Sequence, residues 1–129
     1  MKNKPIIIVA GEPNSIFLEI FFKSIKSKKF KNPIILICSL NLLKLQMNKL
    51  KFKKKIEVIN FHKLNMTKLN NKTINLIDVE YNQKNAFEKI SKKSKNYIKK
   101  SFDVAFKIIK RGLSDKLING PISKKHFLD

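Results

Sequence analysis

The stretch 5-PIIIVAGEPNSIFLEIFFKSI-25 passes from an apolar run, through a Gly-Glu-Pro turn, into an amphipathic pattern. The β-branched run over residues 5–10 is typical of a strand that is covered on both faces. Gly11 ends this strand, and Asn14 or Ser15 can cap a helix whose apolar side chains recur at helical spacing. A strand, a tight turn and a helix in this order are typical of the start of an α/β enzyme.

The rest of the chain repeats this alternation. Strands are predicted at 33–39, 56–60, 74–80 and 116–119, and helices at 40–51, at 85–111 and from about Ser123, with a polar loop between the third and fourth strands. Strands that alternate with helices predict an α/β fold of three layers, a mainly parallel sheet flanked by helices. Because the sequence ends inside a new helix at Asp129, we expect residues 1–129 to be one incomplete domain.

The charge of the chain allows two interpretations. The formal net charge is +20, and 28 of the 29 basic residues are Lys, the exception being Arg111. Clustered cations favour nucleic acid, because they release counterions from phosphates. Recognition of bases and phosphates favours Arg, however. The abundant residues Lys, Asn, Ile and Phe also share A/T-rich codons, so genome composition can produce this excess. Solvated surface lysine is the favoured interpretation, and a nucleic-acid partner is not expected.

Cysteine and histidine give little sign of a metal or nucleophile site. The single cysteine, Cys38, lies in an apolar run, which predicts a buried structural thiol. His62 and His126 have no partner at ligand spacing. The acidic residues Asp78, Asp103 and Asp115 form no catalytic pair that can be recognised from sequence. No apolar run is long enough to span a membrane, and the apolar start is too short for a signal peptide. We therefore expect a cytoplasmic protein without membrane contact.

Two loops, 11-GEPNS-15 and 120-GPISK-124, follow the carboxyl ends of predicted parallel strands. Ligands of open α/β sheets bind outside these ends, where the first turn of a helix also attracts anions. In the first loop Glu12 could orient a hydroxyl group or a metal-bound water, and in the second Lys124 could contact a phosphate. The alternative is that Gly and Pro only make strand-to-helix turns. Either loop alone favours that alternative.

Together the two loops resemble the 4-hydroxythreonine-4-phosphate dehydrogenases, the PdxA family of vitamin B6 synthesis. That family opens with a strand and a Gly-Asp/Glu-Pro-Ala-Gly-Ile-Gly-Pro-Glu motif. In 11-GEPNSIFLEI-20 six positions agree with the family, and Asn14, Ser15, Phe17 and Leu18 depart from it. The family later has a long helix, a short strand and Thr-Gly-Pro-x-x-Lys, which corresponds to 119-NGPISK-124 with Asn119 in place of Thr. Order and spacing agree over the whole chain, which would be the amino-terminal portion.

The resemblance implies a fold related to isocitrate and isopropylmalate dehydrogenases and a homodimer with clefts between subunits. It also implies NAD-dependent oxidation of a phosphorylated hydroxy amino acid and decarboxylation of the product, on the route to pyridoxal 5′-phosphate. The supporting residues of the cleft would be Gly11, Glu12, Gly120, Pro121 and Lys124. The family's substrate-binding His-Thr pair and the three histidines that hold a divalent metal would come after Asp129. We therefore expect no catalytic and no metal-binding residue in this chain, and no activity from residues 1–129 alone.

Two other functions stay open on the sequence. One is a small lysine-rich nucleic-acid-binding domain, which would need a lysine stripe on one face. The other is a non-catalytic remnant that acts as an interaction module, which would need a stable partner and no ligand.

Overall fold

The structure is a computed structural model, and it describes residues 4–66, 68–81 and 92–122. Within these ranges five strands alternate with three α-helices and one 3₁₀ helix. In chain order they are β1 (Ile6–Val9), α1 (Phe17–Ser27), β2 (Ile34–Cys38), α2 (Leu40–Lys49), β3 (Ile56–Val58), the 3₁₀ helix (Phe61–Met66), β4 (Ile74–Asp78), α3 (Lys92–Lys110) and β5 (Lys116–Asn119). None of the described helices is long and apolar enough to cross a membrane.

The five described strands form one sheet in the order β3-β4-β2-β1-β5, and every pairing is parallel. From β1 the chain places β2 beside it, then β3 at the edge of the sheet, and then β4 between β2 and β3. It then crosses through α3 and places β5 on the free side of β1. The predicted parallel α/β sheet is confirmed. The carboxyl ends of β1 and β5 therefore lie side by side.

Helices cover both faces of the sheet, so the predicted three-layer architecture is confirmed. Apolar residues of α1 and α2 pack on one face, mainly Leu18, Phe21, Phe22, Leu42, Leu43 and Met47 against Ile8, Leu36 and Leu76. Apolar residues of α3 pack on the other face, mainly Tyr97, Ile98, Ala105 and Ile108 against Ile7, Val9, Ile35 and Ile37. All five residues of β2 are buried, because this strand is central and covered twice.

The largest difference from the predicted elements lies between β3 and β4. Part of the predicted polar loop is the 3₁₀ helix, whose Leu64 is buried against the α3 face. The third strand is also shorter than predicted, because it lies at the sheet edge and pairs only with β4. The start of the long helix before Lys92 and the helix predicted from Ser123 lie outside the described residues.

Candidate functional site

The loops after β1 and β5 are joined through their backbones. The Glu12 amide donates a hydrogen bond to the Pro121 carbonyl oxygen at 2.8 Å, and the Gly120 amide donates to the Val9 carbonyl oxygen at 2.7 Å. These bonds extend the β1–β5 pairing beyond the last ladder pair, Val9 with Asn119. The structure thus brings together four of the five predicted cleft residues, Gly11, Glu12, Gly120 and Pro121. Lys124 lies outside the described residues.

Glycine at positions 11 and 120 is what allows this close approach. A Cβ atom added to Gly11 would lie 2.6 Å from the Pro121 carbonyl oxygen, and φ of +82° at Gly11 is also unfavourable for other residues. A Cβ atom on Gly120 would lie 2.8 Å from Cγ of Phe17 and closer still to the Ala10 carbonyl oxygen. Most of these neighbours are backbone atoms, which cannot rotate away. Both glycines are therefore required for the contact between the loops, and not only for the turns.

Glu12 is buried where the two loops meet, with only 7% of its surface exposed. Its own carbonyl oxygen accepts a hydrogen bond from the Ser15 amide at 3.1 Å, which closes the turn. From α2, Nε2 of the buried Gln46 donates to the Pro13 carbonyl oxygen at 3.2 Å and fixes the next residue of the loop. The backbone that carries this carboxylate is thus held in a defined position beside the joined loops, at the edge where α/β folds bind ligands.

The amino terminus of α1 is less open to an anion than its sequence suggests. The N-cap residue is Ile16, and not Asn14 or Ser15 as predicted. Ser15 still contributes, because its Oγ accepts a hydrogen bond from the Phe17 amide at 3.3 Å. The Phe17 ring lies against Gly120, and Glu19 adds a negative charge in the first turn. The Ser15 hydroxyl and the Glu19 charge therefore already satisfy part of what this helix end offers to an anion.

A second polar cluster at the carboxyl edge was not predicted from the sequence. The Ser39 amide donates to the Tyr97 hydroxyl at 3.0 Å, and the Ser39 hydroxyl donates to the Tyr81 carbonyl oxygen at 3.0 Å. The Ser39 Oγ also accepts from the Leu42 amide and caps α2. These hydrogen bonds connect the end of β2 with α3 and with the segment that follows β4, although Ser39 and Tyr97 are 58 positions apart in the sequence. The cluster positions the carboxyl ends of the central strands.

Burial controls the ionisation of this cluster. It raises the pKa of the Cys38 thiol to about 12, and it also raises the pKa of the Tyr97 hydroxyl well above its ordinary value. The nearby Asp78 carboxylate adds to both shifts, while its Oδ1 accepts a hydrogen bond from the Leu40 amide at 2.8 Å. Cys38 is therefore a neutral thiol at neutral pH. The prediction of a buried structural thiol is confirmed.

The described residues do not form a metal centre. Among them no group of three or more His, Cys, Asp or Glu side chains could hold a metal ion. His62 lies beside the ring of Phe61 with their centroids 5.4 Å apart, and the guanidinium of Arg111 lies 5.3 Å above that same Phe61 ring. The second histidine, His126, lies outside the described part of the chain. The donor set that the resemblance implies is thus not supplied by residues 4–66, 68–81 and 92–122.

Comparison with known proteins finds likeness in structure and none in sequence. No family model and no curated protein matches the chain significantly. A 4-hydroxythreonine-4-phosphate dehydrogenase from Burkholderia phymatum superposes with a TM-score of 0.78 and 16% identity over 98% of this chain. The enzyme from Klebsiella pneumoniae gives a TM-score of 0.80 and 18% identity over 98% of this chain. This chain has the fold of a part of these dehydrogenases.

The resemblance seen in the two motifs is therefore confirmed at the level of the fold. This chain corresponds to 38% of the Burkholderia phymatum dehydrogenase and to 39% of the Klebsiella pneumoniae dehydrogenase. It thus spans about two fifths of the length of these neighbours, and its fold is a partial domain compared with theirs.

Proposed function

We propose that this chain forms one wall of the active-site cleft of a PdxA-type, NAD-dependent 4-hydroxythreonine-4-phosphate dehydrogenase. The observation that carries the proposal is the backbone junction of the β1 and β5 loops, in which both family-like motifs meet through Gly11 and Gly120. The two glycines are 109 positions apart in the sequence, and the pairing of β1 with β5 brings them together. The shared fold with the dehydrogenases supports the same conclusion.

In this proposal Glu12 orients the substrate. A carboxylate accepts hydrogen bonds strongly and can hold a hydroxyl or an ammonium group in one position. The β1–β5 junction fixes its backbone on one side, and the Gln46 contact to Pro13 fixes the loop on the other. Gly120 and Pro121 shape the floor of the cleft, and Lys124 would contact the substrate phosphate.

The proposal extends to the properties that belong to the whole enzyme. The active protein would be a cytoplasmic homodimer that serves the synthesis of pyridoxal 5′-phosphate. NAD would accept the hydride and a divalent metal would polarise the substrate hydroxyl. Because the described residues do not fit the metal, we assign none of them to it. Residues 1–129 alone should therefore show no NAD-dependent turnover. Turnover by this chain alone would contradict that expectation.

The test is substrate binding observed by amide NMR. Adding 4-hydroxythreonine-4-phosphate to the 129-residue chain should shift the amide signals of residues 11–16 and 120–122, apart from Pro13 and Pro121, which have no amide hydrogen. Threonine, which lacks the phosphate, should shift them less. Glu12→Gln should weaken binding by about tenfold to a hundredfold, because a charge-assisted hydrogen bond contributes about 1.5–3 kcal/mol. The control Glu57→Gln changes the same group on the exposed edge strand β3 and should leave binding unchanged. Equal binding by both variants, or shifts confined to other loops, would refute the assigned site.

The interaction-module hypothesis makes the opposite prediction for this experiment. A remnant that binds only a protein partner would show no amide shift on addition of the phosphorylated substrate. The nucleic-acid hypothesis concerns the other end of the sheet, where the structure provides a separate observation.

A further inference from the structure

Basic residues are distributed unequally between the two edges of the sheet. Because the described strands are all parallel, the loops that precede them lie at one edge, the amino edge, and the loops that follow them lie at the other. The loops 28–33, 50–55 and 68–73, at the amino edge, contain nine lysines. The described loops at the carboxyl edge, residues 10–16, 39, 59–60, 79–81 and 120–122, contain no Lys or Arg, and Lys63 lies in the 3₁₀ helix that follows β3. Among the described loops, lysine is therefore concentrated at the amino edge.

A groove with a volume of about 770 Å³ opens at this amino edge, next to β2 and β4. Six lysines line it, Lys26, Lys28, Lys29, Lys31, Lys54 and Lys72. No Asp or Glu belongs to its described lining. The floor is apolar and includes Phe21, Ile25 and Ile74. A concave site with an apolar floor and a cationic rim fits a ligand that carries both flat apolar groups and phosphates.

Asparagine side chains hold the two walls of this groove together. Asn71 Nδ2 donates to the carbonyl oxygens of Phe30 and Asn32, and Asn71 Oδ1 accepts from the Ile34 amide at 2.9 Å. Asn75 Nδ2 donates to the carbonyl oxygens of Ile34 and Asn70 at 2.9 and 2.8 Å. The lysine-bearing segment before β2 is thus tied to the turn before β4. Both walls are positioned before any ligand arrives, which lowers the ordering cost of binding.

Phe30 adds an aromatic surface to the rim of the groove. It stands between Lys29 and Lys31 in the sequence and is 37% exposed. Aromatic side chains among cations are the combination that binds single-stranded nucleic acid, with bases stacked on rings and phosphates against lysines. We propose that the amino-edge groove binds single-stranded nucleic acid, with Phe30 as a stacking residue and the rim lysines as phosphate contacts.

The extent of the basic edge favours a polymer over a small phosphate ligand. The groove lies before β2, β3 and β4, three neighbouring strands that span about 10 Å at the usual strand spacing. Lys4 precedes β1 and Lys116 begins β5, so cations continue past the groove across the whole sheet. One mononucleotide would use only part of this edge. The groove is also at the opposite end of the sheet from Glu12, so it is independent of the proposed dehydrogenase site.

The first experiment measures the salt dependence of binding. Fluorescence anisotropy with a labelled oligothymidylate of about 12 nucleotides, the length of one typical single-strand site, gives the association constant at several salt concentrations. With four to six phosphate contacts, the logarithm of this constant should fall against the logarithm of salt with a slope of about −3 to −4. A slope near zero would overturn the proposal.

Matched variants then locate the site. The triple variant Lys28→Gln, Lys29→Gln, Lys31→Gln should weaken binding by about tenfold or more and reduce the salt slope by about 2. The control Lys44→Gln, Lys99→Gln, Lys100→Gln removes the same charge from exposed helix positions outside the groove and should change neither value. Equal losses in the two triples would show binding to net charge alone and would overturn the proposal.

The stacking contact has its own control. Phe30→Ala should weaken binding by about fivefold or more. The control Phe106→Ala, which removes an exposed phenylalanine on α3, should not weaken it.

Amide shifts in the unmodified protein provide a readout that needs no variant. The oligonucleotide should shift residues 28–31 and 69–75 and leave residues 10–16 unchanged. Shifts confined to the carboxyl edge, or complete competition by pyrophosphate at similar concentration, would instead indicate a small phosphate ligand and would refute a nucleic-acid site.

Discussion

Replacing Gly120 with alanine tests the junction on which the proposed cleft depends. The new Cβ would lie 2.8 Å from Cγ of Phe17 and inside contact distance of the Ala10 carbonyl oxygen, which is backbone. The end of β5 must therefore move away from β1. Overpacking of this kind costs about 1–3 kcal/mol. The movement also strains the bonds from the Gly120 amide to Val9 and from the Glu12 amide to Pro121, at about 1 kcal/mol each. We expect the free energy of unfolding to fall by at least about 3 kcal/mol.

The measurement is urea unfolding followed by far-ultraviolet circular dichroism, with Gly112→Ala as the matched control. A Cβ at Gly112 has nothing within 4 Å, so its cost comes only from φ of +76° and should be about 1 kcal/mol. With a urea dependence of about 2 kcal/mol per molar, the midpoint should fall by about 1.5 M for Gly120→Ala and by about 0.5 M for the control.

The comparison between the two alanine variants tests whether the two loops are in tight backbone contact. If Gly120→Ala is no more destabilising than Gly112→Ala, the loops are not in tight backbone contact and the argument for a built cleft fails. If it is more destabilising, the surviving folded protein should also lose the amide shifts that 4-hydroxythreonine-4-phosphate produces at residues 11–16 and 120–122.

Two further predictions concern the buried cluster at the carboxyl ends of β2 and β4. Because burial raises the pKa of Cys38 from 9.0 to about 12, its contribution to stability is complete below pH 9 and is lost as the pH rises towards 12. Urea unfolding at pH 8 and pH 10.5 should show a smaller pH-dependent loss for Cys38→Ala than for the unmodified protein; an equal loss would contradict this. Tyr97→Phe leaves the buried Ser39 amide without its acceptor and should cost about 1–3 kcal/mol in the same assay, and a cost below about 0.5 kcal/mol would show that this bond is unimportant.

The sequence was sufficient for most of the fold because its strong patterns are local. The runs that became β1 and β2 are apolar throughout, as is typical of strands covered on both faces, and β4 is apolar except for Asn75 and Asp78. The apolar stripe of α3 also included Ser94 and Ser101, which are both buried. Ser101 fits there because its Oγ donates to the Tyr97 carbonyl oxygen one turn earlier.

Features that depend on distant contacts could not be predicted. Leu64 is buried in the 3₁₀ helix together with the partly buried Phe61, and this packing in the cluster under α3 could not be recognised from the sequence. Gln46 lies in a leucine-rich helix, and nothing in the sequence indicated that it would be buried. In the structure it is buried, and its side-chain amide donates a hydrogen bond to the Pro13 carbonyl oxygen. The same limit applies to the site. The two glycine loops were predicted as separate turns on physical grounds, and only the strand order shows that they touch.

The lysine content of the described loops differs between the two edges of the sheet more clearly than any single motif does. If A/T-rich codons alone set the lysine content, Lys should occur wherever solvent tolerates it. The carboxyl-edge loops offer exposed positions, among them Ile16, Asn60, Glu80 and Pro121, and none of these is Lys. Burial therefore does not explain the absence of lysine from the described residues of these loops. A lysine among the described residues next to Glu12 would pair with the carboxylate that we assign to the substrate, whereas Lys124 in the same proposed cleft is assigned to the substrate phosphate. Asn60→Lys, at an exposed site distant from Glu12, should then leave the affinity for substrate unchanged in the same amide NMR titration. Ile16→Lys, next to the Glu12 loop, should lower that affinity.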